Sequence, residues 1–252
     1  MALDDFTAAA ADFPEPFRLL VRESAESTND EIHKLARAGA ADGLIVLAER
    51  QTAGRGRRGA AWFSPPGESL AFSILVRPDE PKSHWPRLAL ATGVAVAEAI
   101  ESFQLQPGIK WPNDVWIGGR KVAGILVEAG SDFAVVGVGL NVNSTEFPAE
   151  ISKIATSLRQ ESLRELSRAN VLASIIGRFA LRRRQIGSDF PDIISAVAQR
   201  CVLTGHAVSL TTAAGRQTGI VDGIAPGGEL QLRSESGIQL VVQADEIRLM
   251  ES

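Results

Sequence analysis

Three arginines stand among three glycines in the stretch Ala53-Gly-Arg-Gly-Arg-Arg-Gly59. Arginine offers a planar, permanently charged fork to phosphate or carboxylate. Glycine lets the backbone approach such an anion and turn its N–H groups towards it. The stretch therefore suits a nucleotide, or an acyl phosphate in which two anions are held together. A solvated basic turn has the same composition, so the loop alone leaves both readings open.

The same letters spell G-x-G-x-x-G after the apolar run Leu44–Leu47. A dinucleotide site needs its third glycine to open a helix, on whose N-terminus the pyrophosphate sits. Gly59 is followed instead by AAWFSPPGESL, in which Pro65, Pro66 and Gly67 stop any helix. Asp79, the acidic residue at a suitable distance, follows Pro78 at the end of a strand. A nicotinamide or flavin site is not predicted.

The elements that must position this loop follow from periodicity. Strands are predicted over Phe17–Val21, Leu44–Arg50, Leu70–Val76 and Ala134–Val142, and a hairpin joins Val115–Ile117 to Lys121–Glu128 through Gly118-Gly119. Thr28-x-x-Glu31 reads as a capping box that opens a helix ending at Gly39, and Ser162-x-x-Glu165 reads as a second. Further helices are predicted over Pro86–Phe103, Leu163–Arg184 and Pro191–Arg200, with Arg182–Arg184 as a solvated helix end. Residues 51–67 form an unusually long loop. After Cys201 about five short strands are punctuated by Ala214-Gly215, Pro226-Gly227-Gly228 and Glu235-Ser236-Gly237, the pattern of a small β-barrel. Residues 1–16 read as a frayed, flexible N-terminus.

Composition narrows the class. The chain has 252 residues and a net charge of −4, which argues against general nucleic-acid binding. The single cysteine, Cys201, reads as a packed core thiol, and no disulfide or cysteine zinc site is available within the chain. His33, His84 and His206 lack ligand spacing, so no structural metal is expected. No signal peptide or membrane-spanning run is legible, and a cytoplasmic protein is expected.

Several stretches change the meaning of the arginine loop. Glu26-Ser-Thr-Asn-Asp30, Ala48–Ser64, Gly108–Ala129, Val135–Asn143 and Ala155–Leu158 follow one another in order. They contain K-W-P-N-D, R-K-x-x-G-I-L, G-R-G-R-R-G and G-x-G-x-N, and together they resemble the biotin protein ligases. The resemblance covers about half the chain, Glu26 to Leu158. It implies an α+β fold: a mixed central sheet with helices, like the class II aminoacyl-tRNA synthetase catalytic domain, over residues 17–201, and an SH3-like barrel over 202–252.

The implied reaction has two steps. Biotin attacks the α-phosphate of ATP, with Mg²⁺ present, and a lysine of a biotin carboxyl carrier domain then attacks the biotinyl-5′-AMP. By the same resemblance, Arg57 contacts the developing phosphate charge and Lys121 bridges the biotin carboxylate and α-phosphate. Ser27, Thr28 and Gln51 hydrogen-bond the ureido ring, helped by the backbone of Gly54 and Arg55, and Gly124 lets the strand approach biotin. Thr28 is claimed both by this role and by the helix cap. Trp62 stacks on adenine and Asn141 bonds its edge. Asp114 stands beside the biotin carboxyl and assists the incoming amine, although Pro-Asn-Asp is also good turn chemistry by itself. Lys110 is placed with the same ambiguity. No metal ligands are assigned.

Some relatives carry an N-terminal helix-turn-helix domain; with the first strand near Phe17, ligase activity without sequence-specific DNA binding is expected. A monomer or a homodimer fits. The rival readings are a lipoate or octanoate ligase of similar fold, a basic nucleic-acid module, and an inactive family member; intact Arg57 and Lys121 argue against the last.

Overall fold

The apolar runs assemble into two sheets. A computed structural model of the chain describes residues 3–213, 215–235 and 237–250. Ala214 and Ser236, in two of the expected turns, and Met1 and Ala2 of the N-terminal segment lie outside the described residues.

The larger sheet contains β1 (Arg18–Ala25), β2 (Leu44–Gln51), β3 (Ser69–Val76), β4 (Gly108–Lys110), β5 (Asp114–Ile117), β6 (Arg120–Ala129) and β7 (Ala134–Asn141). Their order is β1-β2-β3-β7-β6-β5-β4. Only β1 and β2 pair in parallel; the remaining neighbours are antiparallel. Every residue of β3 is buried, and β7 is nearly as enclosed. Helices on both faces explain this, because a sheet covered on both sides reads as a continuous apolar run. On one face α2 (Thr28–Arg37) packs Ile32 and Ala36 against Val46, Leu75 and Val135. On the other, α3 (Arg87–Glu101) and α5 (Arg168–Ser188) share the main core with Phe72, Ile74 and Val138. At the hairpin between β5 and β6, Gly118 and Gly119 have φ of 56° and 77°, the paired left-handed conformation that a tight hairpin turn requires.

The second sheet contains β8 (Ala207–Thr212), β9 (Gly215–Ile224), β10 (Leu230–Ser234), β11 (Gly237–Val241) and β12 (Glu246–Leu249). All its pairings are antiparallel, in the order β11-β10-β9-β8-β12. The helix α6 (Phe190–Arg200) leads into it, and Trp111 ties the two sheets together by donating its indole N–H to the Gly228 carbonyl at 2.9 Å.

Several expectations are corrected. The N-terminal segment is not frayed throughout: Leu3–Ala10 form α1, and Phe6 is fully buried. Its ring lies under the Arg168 guanidinium at 5.1 Å, and Arg168 is itself buried and paired with Glu49 through two 2.9 Å bonds. The capping box at Ser162 is absent. A short α4 (Leu158–Ser162) ends there with Leu163 in the left-handed conformation, and α5 starts at a cap made by Ser167, whose hydroxyl accepts from Asn170 N–H. Arg182 and Arg183 are not a solvated helix end: α5 continues to Ser188, Arg182 is paired with Glu98, and Arg183 with Asp42 at 2.8 Å. Cys201 is half-buried at the edge of the core.

Phe6→Ala removes a large buried side chain and should lower unfolding stability by about 3–5 kcal/mol. Denaturant melts test this; an unchanged midpoint would mean that α1 does not dock on α5.

Candidate active site

One cavity of about 570 Å³ opens where the start of α2, the 51–67 loop, β4 to β6 and the segment around β12 meet. Its walls are built from separate stretches of sequence, so each wall has its own local cause.

The first wall is the turn from β1 into α2. The helix is capped by Ser27 in extended conformation, without a side-chain capping bond. The capping box expected at Thr28 is therefore corrected: Glu31 bonds Arg22 at 3.1 Å instead, and the Thr28 hydroxyl is not committed to a cap. The N–H of Thr28 donates to Gln51 Oε1 at 2.9 Å, and its hydroxyl lies 3.2 Å from the same oxygen. The Ser73 hydroxyl lies 2.7 Å from Thr28 Oγ1 and 2.6 Å from Asn29 Oδ1. Asn29 fits because Gly137 faces it, where an added Cβ would stand 2.3 Å from Asn29 Oδ1.

The arginine loop forms the second wall. It is not irregular throughout. Thr52 and Ala53 donate their N–H groups to Ala25 and Glu26, Gly56 N–H bonds the Ala60 carbonyl at 2.7 Å, and Trp62 N–H bonds that of Gly54 at 3.0 Å. These bonds fold the loop into a small hairpin with Arg55 opposite Ala61. Arg58 occupies the left-handed region, with φ of 58°.

The arginines then diverge. Arg55 forks onto Asp30 with two 2.6 Å bonds and reaches Glu128 at 3.2 Å. This holds the Asp30 carboxyl below the usual carboxylate range and raises the Arg55 pKa. Arg57 donates to Asn113 Oδ1 at 3.1 Å and to the Ala244 carbonyl at 2.8 Å. Arg58 pairs with Asp245 at 2.6 Å. The loop is thereby tied to α2, to β6, to the turn after β4 and to the second sheet.

Lys121 and Asp114 face each other across the third wall, 2.7 Å apart. The strand pairing explains the contact, since β5 and β6 are hydrogen-bonded neighbours. The segment Ile154–Thr156 fixes Lys121 from behind: Lys121 N–H bonds the Ile154 carbonyl at 2.7 Å, and Thr156 N–H bonds that of Lys121 at 2.9 Å. Lys110 stands on β4 with its ammonium 4.5 Å from the Trp116 ring centre, and burial pushes its pKa down. The Trp62 indole lies on the strand backbone, in contact with Gly124 and Gly139, and 5.6 Å from the Lys121 ammonium. Its Nε1–H is buried without a protein partner.

Of the expected site residues, Ser27, Thr28, Gln51, Arg55, Arg57 and Trp62 line the cavity. So do Asp114, Lys121 and Gly124. Gly54 and Asn141 do not. Gly54 sits beside Gln51 Nε2 and the Trp62 carbonyl, with no room for a Cβ. Asn141 is buried and donates its amide to the Thr156 carbonyl at 3.0 Å. Sequence reasoning missed Asn29, Asp30, Ser73, Glu128 and Asp245. Ser73 left a legible signal, a hydroxyl at the centre of a strand that is apolar apart from Ser69 at its end; Asp245 left none.

Gly139→Ala tests the packing of the loop tryptophan. An added Cβ would stand 2.2 Å from Trp62 Cε2, so the indole must move. The expected result is a shift of tryptophan emission with an unchanged far-ultraviolet circular dichroism spectrum. An unchanged emission spectrum would mean that Trp62 does not rest on β7.

Comparison with known proteins agrees with this geometry. The Biotin/lipoate A/B protein ligase family pattern matches residues 21–143. The chain is 36% identical over 236 residues to the bifunctional ligase/repressor BirA of Bacillus spizizenii, covering 90% of this chain and 73% of that protein. It is 35% identical to the biotin--[acetyl-CoA-carboxylase] ligase of Mycobacterium tuberculosis, covering 88% of this chain and 85% of the relative. The crystal structure of the Aquifex aeolicus biotin protein ligase in complex with biotin and ATP superposes with a TM-score of 0.84 at 31% identity, over 93% of this chain and 99% of that one. With this cavity and these relatives, the chain belongs to the biotin protein ligases of the biotin/lipoate A/B protein ligase family.

Proposed function

We propose that this chain adenylates biotin with ATP and passes the biotinyl group to a lysine of a biotin carboxyl carrier domain. The observation that carries the reading is that one cavity is lined both by hydroxyl and amide side chains, Ser27, Thr28 and Gln51, and by the cations Arg57 and Lys121. A ligand with a neutral, hydrogen-bonding head and an anionic tail fits those two kinds of group.

The first step brings a carboxylate against a polyphosphate. Oxygen of the biotin carboxylate bonds to the α-phosphorus, and pyrophosphate leaves. Fixed cations aimed at the developing charge lower that barrier most effectively in a cleft that excludes water. Lys121 is assigned to the oxygens shared by biotin and the α-phosphate, and Arg57 to the phosphate. Gly124 gives biotin access to the strand backbone, with Arg55 supplying a backbone contact to the ring. Trp62 supplies the stacking surface for adenine; Gly54 and Asn141, which do not line the cavity, are assigned no ligand contact.

In the second step the carrier amine attacks the mixed anhydride and AMP departs. The attacking amine loses a proton, and Asp114 is the carboxylate assigned to assist it. The docked loop keeps water from the anhydride, as closing lids do at other reactive intermediates.

Mg²⁺ is assigned to the triphosphate rather than to the protein. Among the described residues no group of three or more His, Cys, Asp or Glu side chains gathers around a potential ion site. Magnesium commonly binds through substrate phosphates with few protein ligands, and no step is assigned to it here. Residues 17–201 are read as a catalytic unit of the class II aminoacyl-tRNA synthetase type, and 202–252 as an SH3-like barrel; the seven-stranded and five-stranded sheets support that division. Among the described residues no helix is long and apolar enough to cross a membrane.

Exchange of labelled pyrophosphate into ATP tests the first step alone. Exchange should require biotin and should not be supported by lipoate. Lys121→Ala should lower it by about 100-fold or more, the scale of removing one fixed donor to developing charge, with unfolding unchanged. Arg57→Ala should weaken biotin binding and speed release of the adenylate. Equal exchange with lipoate, or wild-type turnover in Lys121→Ala, would overturn the assignment.

A further inference from the structure

Ser73 is completely buried at the centre of β3, a strand that is otherwise apolar apart from Ser69 at its end. A hydroxyl in such a place is costly unless it is hydrogen-bonded. Its two neighbours are Thr28 Oγ1 and Asn29 Oδ1, both on the wall assigned to the ureido ring.

The direction of these bonds follows from chemistry. The Glu128 carboxylate, paired with Arg55, only accepts. Asn29 Nδ2 donates to Glu128 Oε2 at 2.6 Å, which turns Asn29 Oδ1 towards Ser73. A carbonyl oxygen only accepts, so the single Ser73 proton goes to Asn29. Ser73 Oγ then presents lone pairs to Thr28, and the Thr28 proton points into the protein, to Ser73 at 2.7 Å in preference to Gln51 Oε1 at 3.2 Å. What remains for a ligand is a Thr28 oxygen that accepts. Gln51 is oriented by the same logic. Its Oε1 accepts the Thr28 backbone N–H, so its Nε2 is left as a donor beside Gly54.

We infer that Ser73 is a positioning residue that, with Asn29 and Glu128, fixes Thr28 as a hydrogen-bond acceptor and so makes the site select an N–H in the bound ring. An acceptor next to a donor complements an N–H next to a carbonyl, the pattern of a cyclic urea. Reversing Thr28 would set two lone pairs against each other at 2.7 Å, or leave Asn29 Oδ1 without its proton. Loss of Ser73 removes that obstacle, because Thr28 then gives up only the longer contact to Gln51. The inference rests on the ureido assignment proposed above.

The test compares biotin with its two mono-carbamate analogues, in which one or the other ureido N–H is replaced by a ring oxygen. Dissociation constants are measured by calorimetry on the full chain. The wild type should discriminate against one of the analogues by about 30-fold, the scale of two acceptors facing each other in a buried site. In Ser73→Ala that ratio should fall to about fivefold or less, since Thr28 can turn to donate. Glu128→Ala, at a half-buried position, should lower the same ratio by freeing the Asn29 amide to turn over. It decides the matter if Ser73→Ala does not fold. A residue that is merely structural would weaken urea and carbamate alike, so an unchanged ratio in the folded variant overturns the inference. A wild type that binds both analogues as well as biotin overturns it too. A wild type that binds no biotin would instead refute the proposed function, and the two failures are thus distinct.

Discussion

Arg55 is charged, planar and shared between two carboxylates, Asp30 at the start of α2 and Glu128 on β6. Much of the site depends on that fork. It stands at the base of the loop hairpin and orients the residues on either side. The two carboxylates hold the Arg55 side chain, while Arg57 projects towards Asn113 and Ala244. Glu128 in turn holds Asn29, so one carboxylate near the end of β6 serves both the loop and the start of α2. A bidentate guanidinium–carboxylate pair suits this task, because it fixes angle as well as distance.

The cleft also has an electrostatic character that the whole chain does not share. The net charge is −4, yet Arg57, Lys110 and Lys121 line one cavity. Asp114 sits among them, paired with Lys121 at 2.7 Å. Without that carboxylate the lysines would repel one another. With it, an incoming anion meets cations already held in place. Lys110 shows the cost of the arrangement: burial pushes its pKa down, with Asp114 opposing the shift. The connection between β11 and β12 contributes through backbone and carboxylate groups, Ala244 and Asp245, which receive Arg57 and Arg58. It therefore takes part in positioning the loop as well as in enclosing the cavity.

Much of this was legible in the sequence, for identifiable reasons. Strands buried on both faces, such as β3 and β7, announced themselves as unbroken apolar runs, and Gly118-Gly119 specified a hairpin. The motif residues around the cavity were legible because each motif forms one continuous wall. What was not legible arises from contacts between distant segments. Thr28 and Glu31 had the spacing of a capping box, but Gln51, Ser73 and Arg22 competed for their side chains and won. Phe6 looked like part of a flexible end because its partner, Arg168, lies far along the chain. Arg182 and Arg183 resembled a solvated run until Glu98 and Asp42 met them from other elements. Asp245 carried no local pattern at all, since its role depends on where β12 returns.

Transfer to protein is the step that most directly tests the whole account, because the proposed function requires the start of α2, the cations and the docked loop to act together. The purified chain is incubated with ATP, Mg²⁺, biotin and a biotin carboxyl carrier fragment, and the fragment is read on an avidin blot with its mass. The expected result is an avidin-reactive fragment, modified on one lysine, only when ATP and biotin are both present. A fragment that stays unmodified under those conditions, or that is acylated equally well with lipoate in place of biotin, would contradict the account.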